Sequence, residues 1–444
     1  MRACPSGRGT VVRQRSVAET GQASGPESWG RYPRVAQEAL PLAWADDPLP
    51  SGVPVLAYGM GRSYGDSCLN AEGPVLLTRG LRRFISFDAD AGVLRAEAGT
   101  TLGEVTELVL GRGWLPPVLP GTQFVTLGGA VANDIHGKNH HRAGAFGRHI
   151  RAIGLRRSDG SLSTLHPGEP LFAATVAGLG LTGLVTWVEI QLERVPSGWV
   201  NAEAIRFRSL EEAETLDDAS RDTHSHTVAW VDGLARGRAL GRGVFFRGNL
   251  AEGPPKPPRR PRLRKVPFEA PELLLSPFLL RTFNAFYDHL PRWRSRTSVW
   301  KFFHPLDALG GWNRLYGRRG FFQHQSVVPD MEGVRALLAL TSTRGQGSFL
   351  SVLKRFGALM SPGMLSFPRP GWTLTVDVPN RGEETLGYLD EMDAVVRTYG
   401  GAVYPAKDAR MSGETFRMGY PRLDEFATFI DPGFRSRFWS RVMG

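Results

Sequence analysis

At 444 residues the chain is longer than one hydrophobic core ordinarily serves, so two domains are expected. Its 41% hydrophobic, 22% charged and 10% aromatic residues supply packed cores and exclude disorder over most of its length. A net charge of +11 points to an anionic partner: a nucleic acid, a membrane surface or a phosphorylated substrate.

Taken in chain order, residues 1–28 carry arginines but no continuous apolar core, and are expected to be a flexible extension rather than a signal peptide. Cys4 and Cys68 form neither a disulfide framework nor a zinc site. "VPVLAYG" reads as a buried strand, and "FISFDADAGVLRAEAG" as a hairpin turning at Ala91 and Gly92. "TTLGEVTELVLGRG" has the capping-box spacing of Thr101 and Glu104 and predicts a helix stopped by Gly111 and Gly113. A second hairpin turns at Asp159-Gly160, "LFAATVAGLGLTG" is a short helix, and "LVTWVEIQLERV" a long strand.

After Pro196 the text changes. "SLEEAETLDDASRD" predicts a helix, "HTVAWVD" and "GRGVFFRG" aromatic strands, "FFQHQSVVP" and "WTLTVDVP" two more strands. "MEGVRALLALTSTRG" and "EETLGYLDEMDAVVRTYGG" predict amphipathic helices. Between them "PPKPPRRPRLRK" (254–265) sets six basic residues among five prolines, which makes it a loop or disordered segment, either solvated or touching an anionic surface. The longest apolar run, residues 273–280, is far shorter than the roughly 20 residues a bilayer crossing needs, so a cytoplasmic or membrane-peripheral protein is expected. The rhythm is α+β and lacks the regular βαβ repeat of a doubly wound sheet.

Three stretches carry chemistry. "YGMGRSYGD" (58–66) is a glycine-rich turn after a strand, suited to close approach of backbone amides to an anion, though it matches no established phosphate-loop pattern. In "LPGTQFVTLGGAVANDIHGKNHH" (119–141) Gly128-Gly129 permits another close approach at a helix start. Two such cradles suit a dinucleotide diphosphate. His136, His140 and His141 include a pair spaced four apart, but Gly137 breaks the helix and no carboxylate or cysteine cluster accompanies them, so a ring contact or proton-transfer role outweighs metal binding. "YPAKDAR" (404–410) holds Lys407, an ordinary surface lysine unless burial lowers its pKa enough for it to serve as a base.

Together "GRSYGD", "LPGT", "TLGGAVANDIHGKNHH", "GLTG", "FFHPLDALGGWNRLYG", "FFQHQSVVP", "SFPRPGW" and "YPAKDAR" resemble the FAD-dependent decaprenylphosphoryl-β-D-ribose oxidases of actinobacteria. These are flavoproteins of the vanillyl-alcohol-oxidase type with a PCMH-type FAD-binding fold. The resemblance implies an FAD domain over 29–195, a substrate domain over 196–403 built on an antiparallel sheet flanked by helices, and a segment 404–444 that returns to the FAD domain. It implies FAD bound by Gly59, Gly61, Arg62, Ser63, Tyr64, Gly65, Gly121, Thr126, Gly128, Gly129, Asn133, His136, Val185 and Tyr404. Because Arg62 holds the place at which many relatives link FAD through a histidine, the cofactor is expected to be non-covalent.

Lys407, then His136, are the expected catalytic residues, with Tyr64, Lys138, Tyr316, Gln325, Lys354 and Thr375 shaping the pocket or meeting the substrate. Thr375 stands where mycobacterial members carry a cysteine, which removes the target of thiol-directed inactivators. The implied reaction is oxidation of the 2'-hydroxyl of a polyprenylphosphoryl ribose, with an NADH-dependent short-chain reductase as partner and peripheral membrane contact. A soluble alditol or sugar lactone is the alternative substrate. Nucleic-acid binding rests on charge alone and lacks a module signature.

Overall fold

A computed structural model describes residues 25–254, 256–289 and 293–444. Most of the extension expected over 1–28 therefore lies outside the described residues. The fold is α+β, with the strands of the described residues distributed over four sheets.

The first half holds three of them. Val75–Leu77 lies between Ala39–Pro41 and Leu56–Tyr58 in a small parallel sheet. Five antiparallel strands follow in the order Phe84–Asp88, Val93–Glu97, Leu184–Gln191, Ile150–Arg156, Leu162–Leu165. Both expected hairpins form here, the first closed by Asp88, which accepts from the amides of Asp90 and Ala91 through its side chain. The helix Leu102–Val109 begins with the expected capping box: the Glu104 amide donates to Thr101 Oγ1, and Glu104 accepts from the Thr101 amide. Its apolar stripe (Leu102, Val105, Val109) packs with Leu127, Val131 and Ile153 in one core.

An eight-stranded antiparallel sheet dominates the second half. Its order is Trp293–Ser298, Trp199–Phe207, Gly243–Ala251, His226–Val231, Ser351–Phe356, Gly371–Pro379, Phe321–Val328, Ala402–Val403. The helices Leu210–Arg221, Met331–Arg344 and Glu383–Thr398 cover one face, joining Leu337, Leu338, Leu389 and Met392 to Leu353, Leu374 and Val376. Successive strand side chains point to opposite faces, so Leu374 and Val376 leave Thr373, Thr375 and Asp377 on the other one. The register sets Gln323 beside Asp377, Gln325 beside Thr375 and Lys354 beside Thr373. This polar face looks toward the first half of the chain, and the site forms there.

The chain after Val403 packs in two directions. Phe416, Phe426 and Phe438 belong to the core under the large sheet. Arg441, in the terminal helix Arg437–Met443, reaches back to Asp66 and Asp408 at 2.8 Å each, and Phe434 bridges to Val55. Residues 256–265 form a loop held against the first half: Trp300 Nε1 donates to the Pro258 carbonyl at 3.0 Å, and Arg260 pairs with Glu107 and hydrogen-bonds Gln123. Among the described residues no helix is long and apolar enough to cross a membrane.

Candidate active site

The two glycine loops meet at one side chain. Thr126 caps the helix Leu127–Ala132, its Oγ1 accepting from the Gly129 amide at 3.2 Å. Gly59 from the first loop lies so close that a Cβ there would stand 2.5 Å from the same oxygen. Gly61, at φ +57°, adopts a backbone conformation that side chains disfavour, and a Cβ would meet the Tyr58 hydroxyl at 2.1 Å. Within the first loop glycine is therefore required for close contact at Gly59 and for backbone conformation at Gly61. The loops border a cavity also lined by Ala98, Gly128, Asn133, Val185, His136, Gln325, Tyr404 and Lys407.

His136 reaches the cavity lining because the chain leaves the helix at Ala132 and turns through Asp134, held at φ +40°. The Asp134 carboxylate secures the turn by accepting from the Gly147 amide at 2.7 Å and from Ser366. Lys354 reaches His136 from behind, its Nζ donating to Nδ1 at 2.8 Å and to the Gly137 carbonyl at 2.7 Å. With Nδ1 accepting, a neutral ring carries its proton on Nε2, which lies 3.0 Å from the Gln325 amide. The network is satisfied when that amide turns its oxygen to Nε2. Burial, and then the Lys354 charge, push the His136 pKa well below its ordinary value, so the ring is neutral. Burial likewise pushes Lys354 well down.

Lys407 lines the same cavity. Its Nζ lies 3.7 Å from the centre of the Tyr64 ring and has no hydrogen-bond acceptor among the described residues. Its accessible part faces the cavity. Burial lowers its pKa to about 7, against the opposing pull of Asp377. Asp377 is itself raised to about 7 by burial, although Gln323 and Tyr316 donate to its two oxygens and stabilise the anion. The Tyr64 amide donates to the Ala406 carbonyl at 2.8 Å, so the first glycine loop and "YPAKDAR" are bound directly together. A lysine near neutrality, aimed at a cavity and without a protein acceptor, can hold or release a proton at a ligand hydroxyl.

Gly59, Gly61, Arg62, Ser63, Tyr64, Gly121, Thr126, Gly128, Gly129, Asn133, His136, Val185, Gln325, Tyr404 and Lys407 all line this one cavity. Gly65 does not; it packs on the backbone of Asp408, where a Cβ would stand 1.7 Å from the carbonyl oxygen. Lys138 points elsewhere, donating to the carbonyls of Phe302 and Phe303. Tyr316, Lys354 and Thr375 lie one layer behind the wall: Tyr316 on Asp377, Lys354 on His136, and Thr375 opposite Gln325 in the strand register. The histidine run does not stay together either, since His140 Nδ1 accepts from the Gly357 amide and His141 Nε2 meets the His224 carbonyl.

Other lining residues were not singled out from the sequence. Trp29 stacks on the Arg62 guanidinium at 4.1 Å, and Asp307 ties down the "LPGT" loop by accepting from Thr122 Oγ1 and the Gln123 amide at 2.7 Å each. The alternation of polar and apolar residues in "WTLTVDVP" was the signal for Asp377, since a polar face on a wholly buried strand needs a polar purpose.

The cavity suits a dinucleotide cofactor. Arg62 Nε and Ser67 Oγ are buried on its wall without a hydrogen-bond partner among the described residues, and phosphate or ribose oxygens would satisfy them. Residues 42–166 match the model of an FAD binding domain. The chain is 38% identical over 404 residues to decaprenylphosphoryl-β-D-ribose oxidase of Mycolicibacterium smegmatis, covering 85% of this chain and 86% of that one. It is 36% identical over 355 residues to an uncharacterized protein in the mprA 5' region of Streptomyces coelicolor, 75% of this chain and 96% of that one. An alditol oxidase of Streptomyces shares 28% identity over 122 residues, 28% of this chain and 29% of that one. The chain thus binds FAD and belongs to the family of FAD-dependent oxidoreductases that contains decaprenylphosphoryl-β-D-ribose oxidase.

Proposed function

We propose that this protein oxidises the 2'-hydroxyl of decaprenylphosphoryl-β-D-ribose to the ketone. The observation that carries the reading is Lys407: a cavity-facing amine with its pKa lowered to about 7 and no acceptor among the described residues, in a chain 38% identical to an oxidase of that substrate. Bound FAD, non-covalent because Arg62 occupies the first loop, supplies the hydride acceptor. Lys407, as the free amine, takes the proton from the ribose hydroxyl. Gln325 and the neutral His136, which line the same cavity, orient the sugar, and the Tyr64 ring lies against the Lys407 Nζ. Lys354, Asp377 and Tyr316 act behind these groups by fixing their direction and charge. In this reading residues 29–195 form the FAD domain, 196–403 the substrate domain, and 404–444 the segment that carries Lys407 back to the FAD domain. The ketone then passes to a separate NADH-dependent reductase.

Two measurements test this. The purified protein should be yellow with an oxidised-flavin spectrum, and anaerobic addition of a polyprenylphosphoryl ribose should bleach it far faster than free alditols do. Faster bleaching by alditols in plain buffer would transfer the reading to a soluble polyol oxidase.

A further inference from the structure

The helix Pro277–Asp288 is amphipathic in the inverse sense. Its inner stripe, Leu280, Asn284 and Asp288, is buried; Asn284 donates to Asp232 at 2.8 Å and Asp288 pairs with Arg206. The outward stripe is apolar, with Phe278 75% and Phe286 68% exposed and Leu279 and Phe283 also open. Immediately before it Leu273 and Leu274 are exposed as well. An exposed apolar surface of this extent on a soluble chain marks a contact surface.

Two features say what covers it. The segment 256–289 holds seven basic residues and three acidic ones. Of those acids Asp288 is buried in ion pairs and Glu269 is paired with Arg31 and Arg314, whereas Lys256, Arg259, Arg262, Arg264 and Lys265 are exposed and have no anionic partner among the described residues. An apolar stripe edged by unpaired cations suits a bilayer surface with anionic headgroups. The second feature is continuity with the cavity. The Gly310 amide donates to the Arg264 carbonyl at 2.8 Å and the Val266 amide to the Gly310 carbonyl at 2.9 Å, while Leu309, Gly310 and Gly311 line the cavity. Leu275 and Leu280 share a core cluster with the cavity residues Tyr64 and Trp312.

We infer that residues 273–286 are a membrane-docking element: the Phe278–Phe286 stripe enters the headgroup layer and the 256–265 loop holds anionic lipid, which sets the cavity edge at Leu309 against the bilayer. Its purpose rests on the polyprenyl-substrate reading, because a lipid-anchored sugar reaches the cavity only at such a surface; its physical test does not.

Flotation with phosphatidylcholine vesicles, with and without phosphatidylglycerol, provides that test on the flavin-loaded protein. Wild type should bind the anionic vesicles. Phe278→Ser with Phe286→Ser should weaken binding at least about tenfold, and Arg262→Glu with Arg264→Glu roughly fivefold or more per position at low salt. Both variants should keep the flavin spectrum and turnover of substrate presented in detergent micelles, which shows that they fold. Undiminished flotation of the Phe278/Phe286 variant overturns the inference. So does a wild-type protein that ignores vesicles but dimerises through this stripe, with the dimer lost in the same variant. If flotation behaves as expected while polyprenylphosphoryl ribose leaves the flavin oxidised, the docking element stands and the substrate reading falls.

Discussion

Lys354 Nζ donates to His136 Nδ1 across 2.8 Å, joining a strand of the large sheet to the loop that closes the second glycine cradle. The contact decides which ring nitrogen of His136 carries its proton, and so what the cavity meets. Lys354→Met leaves Nδ1 and the Gly137 carbonyl without their donor. An unsatisfied buried acceptor costs about 1–3 kcal/mol, and if that appears at the barrier the rate falls roughly ten- to hundredfold. Pre-steady-state flavin reduction should slow by that factor with the FAD spectrum retained; an unchanged rate would show that Lys354 serves packing alone.

Lys407→Met removes the proposed base. Such groups contribute about 10²- to 10⁴-fold, so anaerobic flavin reduction should fall within that range while FAD binding persists. The active form is the free amine, and with a pKa lowered to about 7 by burial the population of that form rises with pH through about 7. The wild-type kcat/KM profile should therefore climb across this interval and flatten above it. In the methionine variant the residual rate should lose that limb.

Asp377→Asn tests the charge behind the wall. The Asp377 carboxylate raises the Lys407 pKa, in opposition to burial. Replacing it with a neutral amide lets burial act unopposed, so the ascending limb of kcat/KM should move to lower pH. A shift to higher pH, or none, would separate the two residues. The same change has a stability consequence of known sign. Burial raises Asp377 from 3.8 to about 7, so between these values the folded chain keeps a proton that the unfolded chain has released. Stability is lost as pH rises from about 4 to about 7, and the asparagine variant should lose less stability than wild type over that interval.

Gly59→Ala places a methyl 2.5 Å from Thr126 Oγ1. The cap and the first glycine loop must separate, at a cost of about 1–3 kcal/mol for overpacking, and FAD affinity should fall about tenfold or more. The absorbance ratio of flavin to protein after gel filtration measures this.

Arg441→Met tests the join between the chain's two ends. Asp66 and Asp408 are almost completely enclosed, and each accepts from Arg441 at 2.8 Å. Burial pushes the Asp408 pKa up, but Arg441 and Arg410 hold it below the usual carboxylate range. Without the guanidinium two buried carboxylates lose their main partner, and the loss should reach about 3–5 kcal/mol, seen as a lower urea midpoint. A midpoint within error of wild type would mean that the terminal helix carries little of the fold's stability.

Much was legible in the one-dimensional text because it depends on local physics. The capping box of Thr101 and Glu104, the hairpins at Gly92 and Gly160, and the strand alternation around Thr373 and Thr375 are all set by residues within a few positions of one another. The glycine loops were also visible, since close backbone approach leaves its mark in the residue type itself. Only the tertiary structure decided which polar groups converge. Lys138 and His136 are two residues apart in sequence, yet one is bound to the Phe302 and Phe303 carbonyls and the other to Lys354 and Gln325. The alternation in "WTLTVDVP" marks Asp377 as a polar residue on a buried strand, but it stands behind Lys407 because strand register and the return of the C-terminal segment place them together. Charge state follows from burial and neighbours, both long-range properties, so the sequence could name Lys407 while only the fold could lower its pKa.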